Sequence, residues 1–196
     1  MAATVLTRTR PQTAERILEA AFDCIGDVGL ARTTMEDVAR RAGCTRQTVY
    51  RYFPSKDHLM MALVVREEDR FIEETRSAFS TDGDLEDALY RGTLICLRFA
   101  RSHPLLDRLL GTDAATLLPY LTTRAAPLIA RAREAFLREI GRKAWVRSNV
   151  KDQAADVAVR MAFSYALTPP DRPPERIARD MARILTVALT GKEAKR

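Results

Sequence analysis

The chain has 196 residues, 46% of them hydrophobic, enough for one compact unit or two small domains with a buried core. A formal net charge of +6 permits binding to a polyanion and equally fits ordinary solubilising charge. Cys24, Cys44 and Cys96 form no CxxC pair, no apolar run approaches the ~20 residues that span a bilayer, and the first ten residues hold no apolar signal core; a soluble cytoplasmic protein with no disulfide framework, metal site or cofactor is expected.

Residues 1–10 are polar, with Arg8 and Arg10 and no acid. They read as a tail that is disordered without DNA and as a basic arm along the backbone or in the minor groove with it, and the two readings are compatible. A first helix is predicted from Pro11 to Val28, where Ile17, Leu18, Ala21, Phe22 and Ile25 share one face, and Gly29 ends it. Thr33-x-x-Glu36 has the form of a capping box opening a second helix that stops at Gly43. A short third helix spans Thr45 to Tyr52, Phe53 turns inward, and Pro54-Ser55 break the chain.

A long fourth helix begins near Ser55 and runs to Phe79, with Leu59, Leu63, Arg66 and Arg70 tracing an apolar and a wet side. After a break at Ser80–Gly83, Asp84 caps a helix from Leu85 to Ser102. His103-Pro104 stop it, Pro104 opens a short helix to Leu110, and Gly111-Thr112-Asp113 make a turn. The apolar stretch from Ala114 to Ile140 holds Pro119, which suits a first turn, and Pro127, which must kink or split it. Residues 141–151 read as a basic loop around Trp145. Two last helices, Asp152 to Leu167 and Pro174 to Leu189, are joined by the rigid TPPDRPP. With no strand-like alternation and no repeat, the fold is expected to be all-α.

The run from Met35 to Pro54, MEDVARRAGCTRQTVYRYFP, carries the function. Ala39 lets a second helix approach closely, Gly43 can take the positive φ that ends a helix and reverses the chain, Thr45 can cap the next helix, and Val49 faces back to the first. This is a helix-turn-helix. From Arg40 to Lys56 there are five Lys/Arg and no acid. Arg46, Gln47 and Thr48 fall in the first turn of the second helix, the part that enters a major groove, where arginine suits guanine, glutamine suits adenine and the threonine methyl suits thymine. Arg46 and Gln47 are the expected base readers, and Arg51 points to solvent or phosphate.

Thr33-Thr34, Val38-Ala39, Ala42-Gly43, Thr48-Val49-Tyr50, Tyr52-Phe53 and Ser55-Lys56, at fixed spacing with no gaps over residues 13–64, resemble the N-terminal domain of the TetR family of bacterial transcriptional regulators. Cys44 stands where an aliphatic residue is usual and Gln47 where a small one is. The resemblance implies a DNA-binding domain over 11–55 followed by an effector-binding and dimerisation domain over 56–196. It implies that Thr33 and Thr34 meet a phosphate at a helix N-terminus, and that Tyr50, Tyr52 and Lys56 touch the DNA backbone. Partial core packing of Tyr50 and simple solvated charge at Lys56 are the alternatives.

One such motif buries too little to bind tightly alone, and a dimer places two of them about 34 Å apart on successive major-groove turns. Ala154, Ala155, Ala158, Ala162 and Ala166 give the penultimate helix a small-residue surface, to which Val157, Met161 and Tyr165 add bulk. Ile177, Met181, Ile184, Leu185, Ala188 and Leu189 stripe the last helix. Two such helices per subunit suit a four-helix bundle in a homodimer, the alternative being that both stripes pack on the chain's own core. By resemblance, a small ligand binds among the central helices and alters the separation of the reading heads. Phe71, Phe79, Tyr90, Phe99, Leu117, Tyr120 and Phe136 can line an apolar cavity or form plain core. Of these, Phe71, Tyr90, Phe99, Leu117 and Tyr120 are the candidate pocket, with a hydrophobic ligand favoured. Arg98 and His103 suit a polar group, or a helix boundary in the case of His103.

Cys44, beside a helix N-terminus and Arg46, reads as a small buried hydrophobe or, if open to solvent, a redox thiol. The chain has two histidines, His58 and His103, and no metal-ligand cluster, nucleophile elbow or phosphate-binding glycine loop, which argues against an enzyme. A rival reading is a helical protein that binds DNA without sequence specificity or effector response. It shares the basic surface, and Gln47 and Thr48 beside Arg46 favour base readout over charge alone. A regulator that activates, or that answers to no ligand, fits the same sequence.

Overall fold

The computed structural model describes residues 3–80, 84–141, 147–168 and 171–191. Among these there are ten helices and no strand: α1(Ala3–Val28), α2(Met35–Arg41), α3(Arg46–Tyr52), α4(Lys56–Ser80), α5(Leu85–Ser102), α6(Pro104–Thr112), α7(Ala114–Leu121), α8(Ala126–Ile140), α9(Lys151–Leu167) and α10(Pro174–Thr190). The expected break at residues 81–83, most of the basic loop (142–146), Pro169-Pro170 and the tail from Lys192 lie outside the described residues, as do the side chains of Arg8 and Arg10.

The chain divides into two compact units, Met1–Glu67 with Pro104–Thr122, and Glu68–His103 with Thr123–Arg196. The division expected at 55/56 therefore differs twice: the first part of α4 and the whole of α6 and α7 group with the helix-turn-helix. In the first unit Ile17, Ala21 and Ile25 of α1, Leu30, Val38 of α2, Val49 of α3 and Leu63 of α4 form one buried core, which Leu109, Leu117 and Tyr120 complete. Burial of this apolar set is the main stabilising term, at roughly 25 cal/mol per Å².

Several local expectations shift. Residues 3–10 continue α1 as helix, so the stretch expected to be an arm is helical backbone. Thr34, not Thr33, caps α2: its side chain accepts from the Asp37 N–H while Asp37 returns the bond to the Thr34 N–H, a complete capping box. Arg66 does not lie on a wet side of α4. Its side chain is only 8% exposed and meets Glu15 at 3.2 Å and Glu19 at 2.9 Å, both on α1. α6 runs two residues beyond Leu110, taking in Gly111 and Thr112. The apolar stretch after it splits at residues 122–125; Pro127 stands in the first turn of α8, where a missing N–H costs nothing, whereas Pro119 lies in the second turn of α7.

In the second unit α10 packs along α5, and α9 packs against α5 and α8. Leu85 and Leu89 of α5 meet Ile140, Ala182 and Leu189, and Leu97 meets Ile177, Ala178 and Met181. Asp84 caps α5 as expected, accepting from the Asp87 N–H at 2.9 Å. Glu68, whose side chain is 9% exposed, faces Arg131 of α8 at 3.3 Å. Both of its carboxylate oxygens are buried without a hydrogen-bond partner among the described residues.

Burial pushes the Glu68 carboxyl from the ordinary 4.5 to about 7, against the opposing pull of Arg131. The folded state then binds the proton more tightly than the unfolded one, so this group's stability contribution is full below about pH 4.5 and falls as pH rises to about 7. A shift of this size is worth at most about 3 kcal/mol. Glu68→Gln leaves Arg131 its second partner, Asp69. Its melting temperature is expected to exceed that of the unsubstituted chain by several degrees at pH 8, and by clearly less at pH 5. Equal increments at the two pH values contradict this account.

Candidate nucleic-acid interface

The approach of α2 and α3 depends on how α2 ends. Gly43, at φ +60, occupies the left-handed position just past the helix. The Gly43 N–H donates to the Arg40 carbonyl at 3.3 Å and the Cys44 N–H to the Ala39 carbonyl at 3.0 Å, the paired bonds of a Schellman ending. Arg16 of α1 donates to the Ala42 carbonyl at 2.8 Å. With these carbonyls satisfied, Thr45 starts α3 at once, its hydroxyl accepting from the Thr48 N–H at 3.2 Å. Val49 is fully buried and fixes which face of α3 turns inward.

The outward face follows from that one constraint. Arg46, Gln47, Tyr50 and Arg51 are exposed and Thr48 is half-buried. The Arg46 guanidinium lies over the Tyr50 ring, 5.3 Å from its centroid, and donates to the Tyr50 hydroxyl at 3.4 Å. That contact raises the affinity of Arg46 for its proton, and the residue stays a cation. Arg51 lies over the Tyr52 ring at 5.5 Å, while Tyr52 also packs against the core. A seven-residue helix thus exposes two cations, an amide and the Tyr50 phenol, with the half-buried Tyr52 at the edge of the core.

Two of the expected backbone contacts are placed elsewhere. Thr33 is buried, and both its N–H and its hydroxyl donate to the Gly29 carbonyl, the hydroxyl at 2.7 Å. It closes the turn before α2 and has no donor left for a phosphate. Lys56 donates to the Leu30 carbonyl at 2.7 Å and the Ala31 carbonyl at 3.2 Å. Burial lowers its pKa, with the Asp113 charge opposing. Lys56 is a clip on the α1–α2 turn and not a free surface cation. Thr34 is exposed at the α2 N-terminus, engaged with Asp37. Cys44 is half-buried and packs against the core, as a small hydrophobe does.

The candidate effector residues separate. Phe71 and Phe99 lie together in the second unit with centroids 4.8 Å apart and rings tilted by 44°, and His103 meets Phe99 at the same distance with a tilt of 49°. Tyr90, under the Arg179 guanidinium at 5.8 Å, belongs to the same unit. Leu117 and Tyr120 belong to the helix-turn-helix unit: both are buried in its core, and the Tyr120 hydroxyl donates to Asp57 at 2.6 Å. The candidate dimer residues separate too. Ile177, Met181 and Leu185 are buried within the chain's own second unit, whereas Val157, Met161 and Ile184 are 54%, 37% and 67% exposed. Val187, not singled out from the sequence, is 40% exposed beside them. With Tyr165 these side chains line an open groove of about 750 Å³ between α9 and α10.

Among the described residues no three His, Cys, Asp or Glu side chains converge as a metal site would require. No described helix is long and apolar enough to cross a membrane.

Two family models match. Residues 17–63 match the bacterial regulatory proteins of the tetR family, and residues 84–187 match the bacterial tetracyclin repressor C-terminal domain. The HTH-type transcriptional regulator AlkX of Mycobacterium tuberculosis is 30% identical over 176 residues, covering 88% of this chain and 82% of the relative. The regulator EthR of Mycolicibacterium smegmatis is 34% identical over 107 residues, 52% of this chain and 44% of the relative. The crystal structure of the TetR family repressor AlkX from Dietzia sp. strain DQ12-45-1b, implicated in biodegradation of n-alkanes, superposes with a TM-score of 0.73 at 28% identity, covering 89% of this chain and 92% of that one. The helix-turn-helix, the all-helical second unit and these matches place the chain in the TetR family of bacterial transcriptional regulators, DNA-binding proteins that act through a helix-turn-helix.

Proposed function

We propose that the chain is a homodimeric repressor that holds a palindromic DNA operator and leaves it when a small hydrophobic effector binds in the second unit. The observation that carries this reading is the surface of α3: Arg46 and Gln47 are exposed in its first turn, on a helix whose opposite face is anchored by the fully buried Val49. Such a helix can enter a major groove with its donors aimed at base edges. Thr48 contributes a methyl for thymine, and Thr34, Tyr50, Tyr52 and Arg51 serve the flanking phosphates. Thr33 and Lys56 support the frame behind them.

Dimerisation is supported by the α9–α10 groove. Val157, Met161, Ile184 and Val187 form a patch of large exposed aliphatic side chains of the kind that marks an association surface. A second copy meeting it about a two-fold axis would complete a bundle of four helices. For the effector, the half-buried Phe71, Phe99 and Tyr90 supply apolar and aromatic walls, and His103 beside the Phe99 ring supplies a polar group. The relation of the Dietzia AlkX structure to n-alkane biodegradation supports a long, apolar effector and target genes in the handling of such compounds.

Arg46→Ala and Gln47→Ala are each expected to lower the discrimination between a selected DNA site and its single-base variants by about 1–3 kcal/mol, with fold and oligomeric state unchanged. Fluorescence anisotropy on matched and substituted duplexes measures it, and unaltered discrimination refutes the assignment of base readers. Ile184→Arg, at a position 67% exposed within one chain, is expected to leave thermal unfolding of that chain nearly unchanged while splitting the dimer in light scattering. Losing the partner's contacts should also weaken operator binding more than tenfold. A variant that remains a dimer with full affinity counts against the α9–α10 interface.

A further inference from the structure

Asp113 stands at the N-cap position of α7, where an aspartate ordinarily accepts from its own helix, yet its side chain makes no capping bond there. Its Oδ2 accepts instead from the Leu30 N–H at 3.0 Å, 83 residues away in sequence. Lys56 holds the other side of the same residue, donating to the Leu30 carbonyl at 2.7 Å and the Ala31 carbonyl at 3.2 Å. Gly29 makes room for the carboxylate: at φ +86 it presents bare backbone, and a Cβ there would lie 2.5 Å from Asp113 Oδ2. Next to Lys56, Asp57 accepts from the Tyr120 hydroxyl at 2.6 Å. The α2–α3 hairpin joins the rest of its unit through residues 29–34 and residues 53–56, and both connections are gripped by this one cluster.

From this geometry we infer that Asp113 is a positioning residue for DNA binding. Together with Lys56 it fixes the turn from which α2 departs, while Tyr120, through Asp57, holds the start of α4 that carries Lys56; through the rigid α2–α3 crossing the cluster fixes the pose of the reading helix. The inference rests on the reading of α3 as the DNA-facing helix. It makes residues 104–122 part of the reading head and the helix-turn-helix alone an incomplete one.

The test uses the full chain and the DNA site it selects, at a temperature well below unfolding. Asp113→Leu removes the acceptor, and Asp113→Asn retains one. Asp113→Leu is expected to speed hydrogen exchange at the Leu30 amide and to weaken DNA binding about tenfold with base preference unchanged, while Asp113→Asn restores most of both. A residue that served stability alone would lower the melting temperature without changing the affinity of the folded protein. Wild-type affinity in folded Asp113→Leu, or unchanged exchange at Leu30, overturns the proposal. If Asp113→Leu does not fold, Tyr120→Phe takes its place: a loss of about threefold supports the proposal, and full affinity overturns it. The two readings fail differently. Faster exchange at Leu30 together with undiminished discrimination in Arg46→Ala refutes the role of α3, whereas unchanged exchange refutes the clip itself.

Discussion

Leu30 is fully buried in a turn that has no helix ladder of its own, and an unpaired backbone group in such a place costs on the order of 1–3 kcal/mol. Both backbone groups of Leu30 are answered, and side chains bind the carbonyls on either side of it. Arg32 donates to the Val28 carbonyl, Thr33 to that of Gly29, Lys56 to those of Leu30 and Ala31, and Asp113 accepts from the Leu30 N–H. With the turn fixed, α2 leaves at a defined angle. The Schellman ending and Val49 then fix α3 on α2. The exposed positions of Arg46 and Gln47 are a consequence of this sequence of constraints and not of any property of those two residues.

The features legible in the sequence are those whose cause is local. Ala39, Gly43, Thr45 and Val49 announce the helix crossing because each acts on neighbours within a turn or two. Asp84 is legible as a cap and Pro127 as a break for the same reason. Thr33 and Thr34 show where local reasoning stops. Each is followed three residues later by an acid, Glu36 and Asp37 respectively, so either can open a capping box. Burial decides between them, because Thr33 faces inward and the Gly29 carbonyl is there to take its hydroxyl.

Other residues are not legible in the sequence because their partners are distant along the chain. Asp113 looks like a turn residue, and nothing near it points to Leu30. Lys56 has the look of a free cation until the carbonyls of the α1–α2 turn are placed around it. Leu117 and Tyr120 are plainly apolar and aromatic, but segment 104–122 interrupts the second unit in sequence while packing with the first, so chain order assigns them to the wrong core. On α10, Ile184 and Leu185 are adjacent and equally hydrophobic. The inward face runs through Ile177, Met181 and Leu185, which leaves Ile184 outside.

We propose that two copies of α3, held by these frames, read bases. Selection of bound duplexes from a random pool by the full chain at moderate salt, followed by sequencing, addresses it most directly. The account predicts convergence on a palindrome whose half-sites lie about one helical turn apart. A pool that never converges, with folded protein and salt-sensitive binding to all sequences alike, would contradict it and leave a protein that coats DNA without reading it.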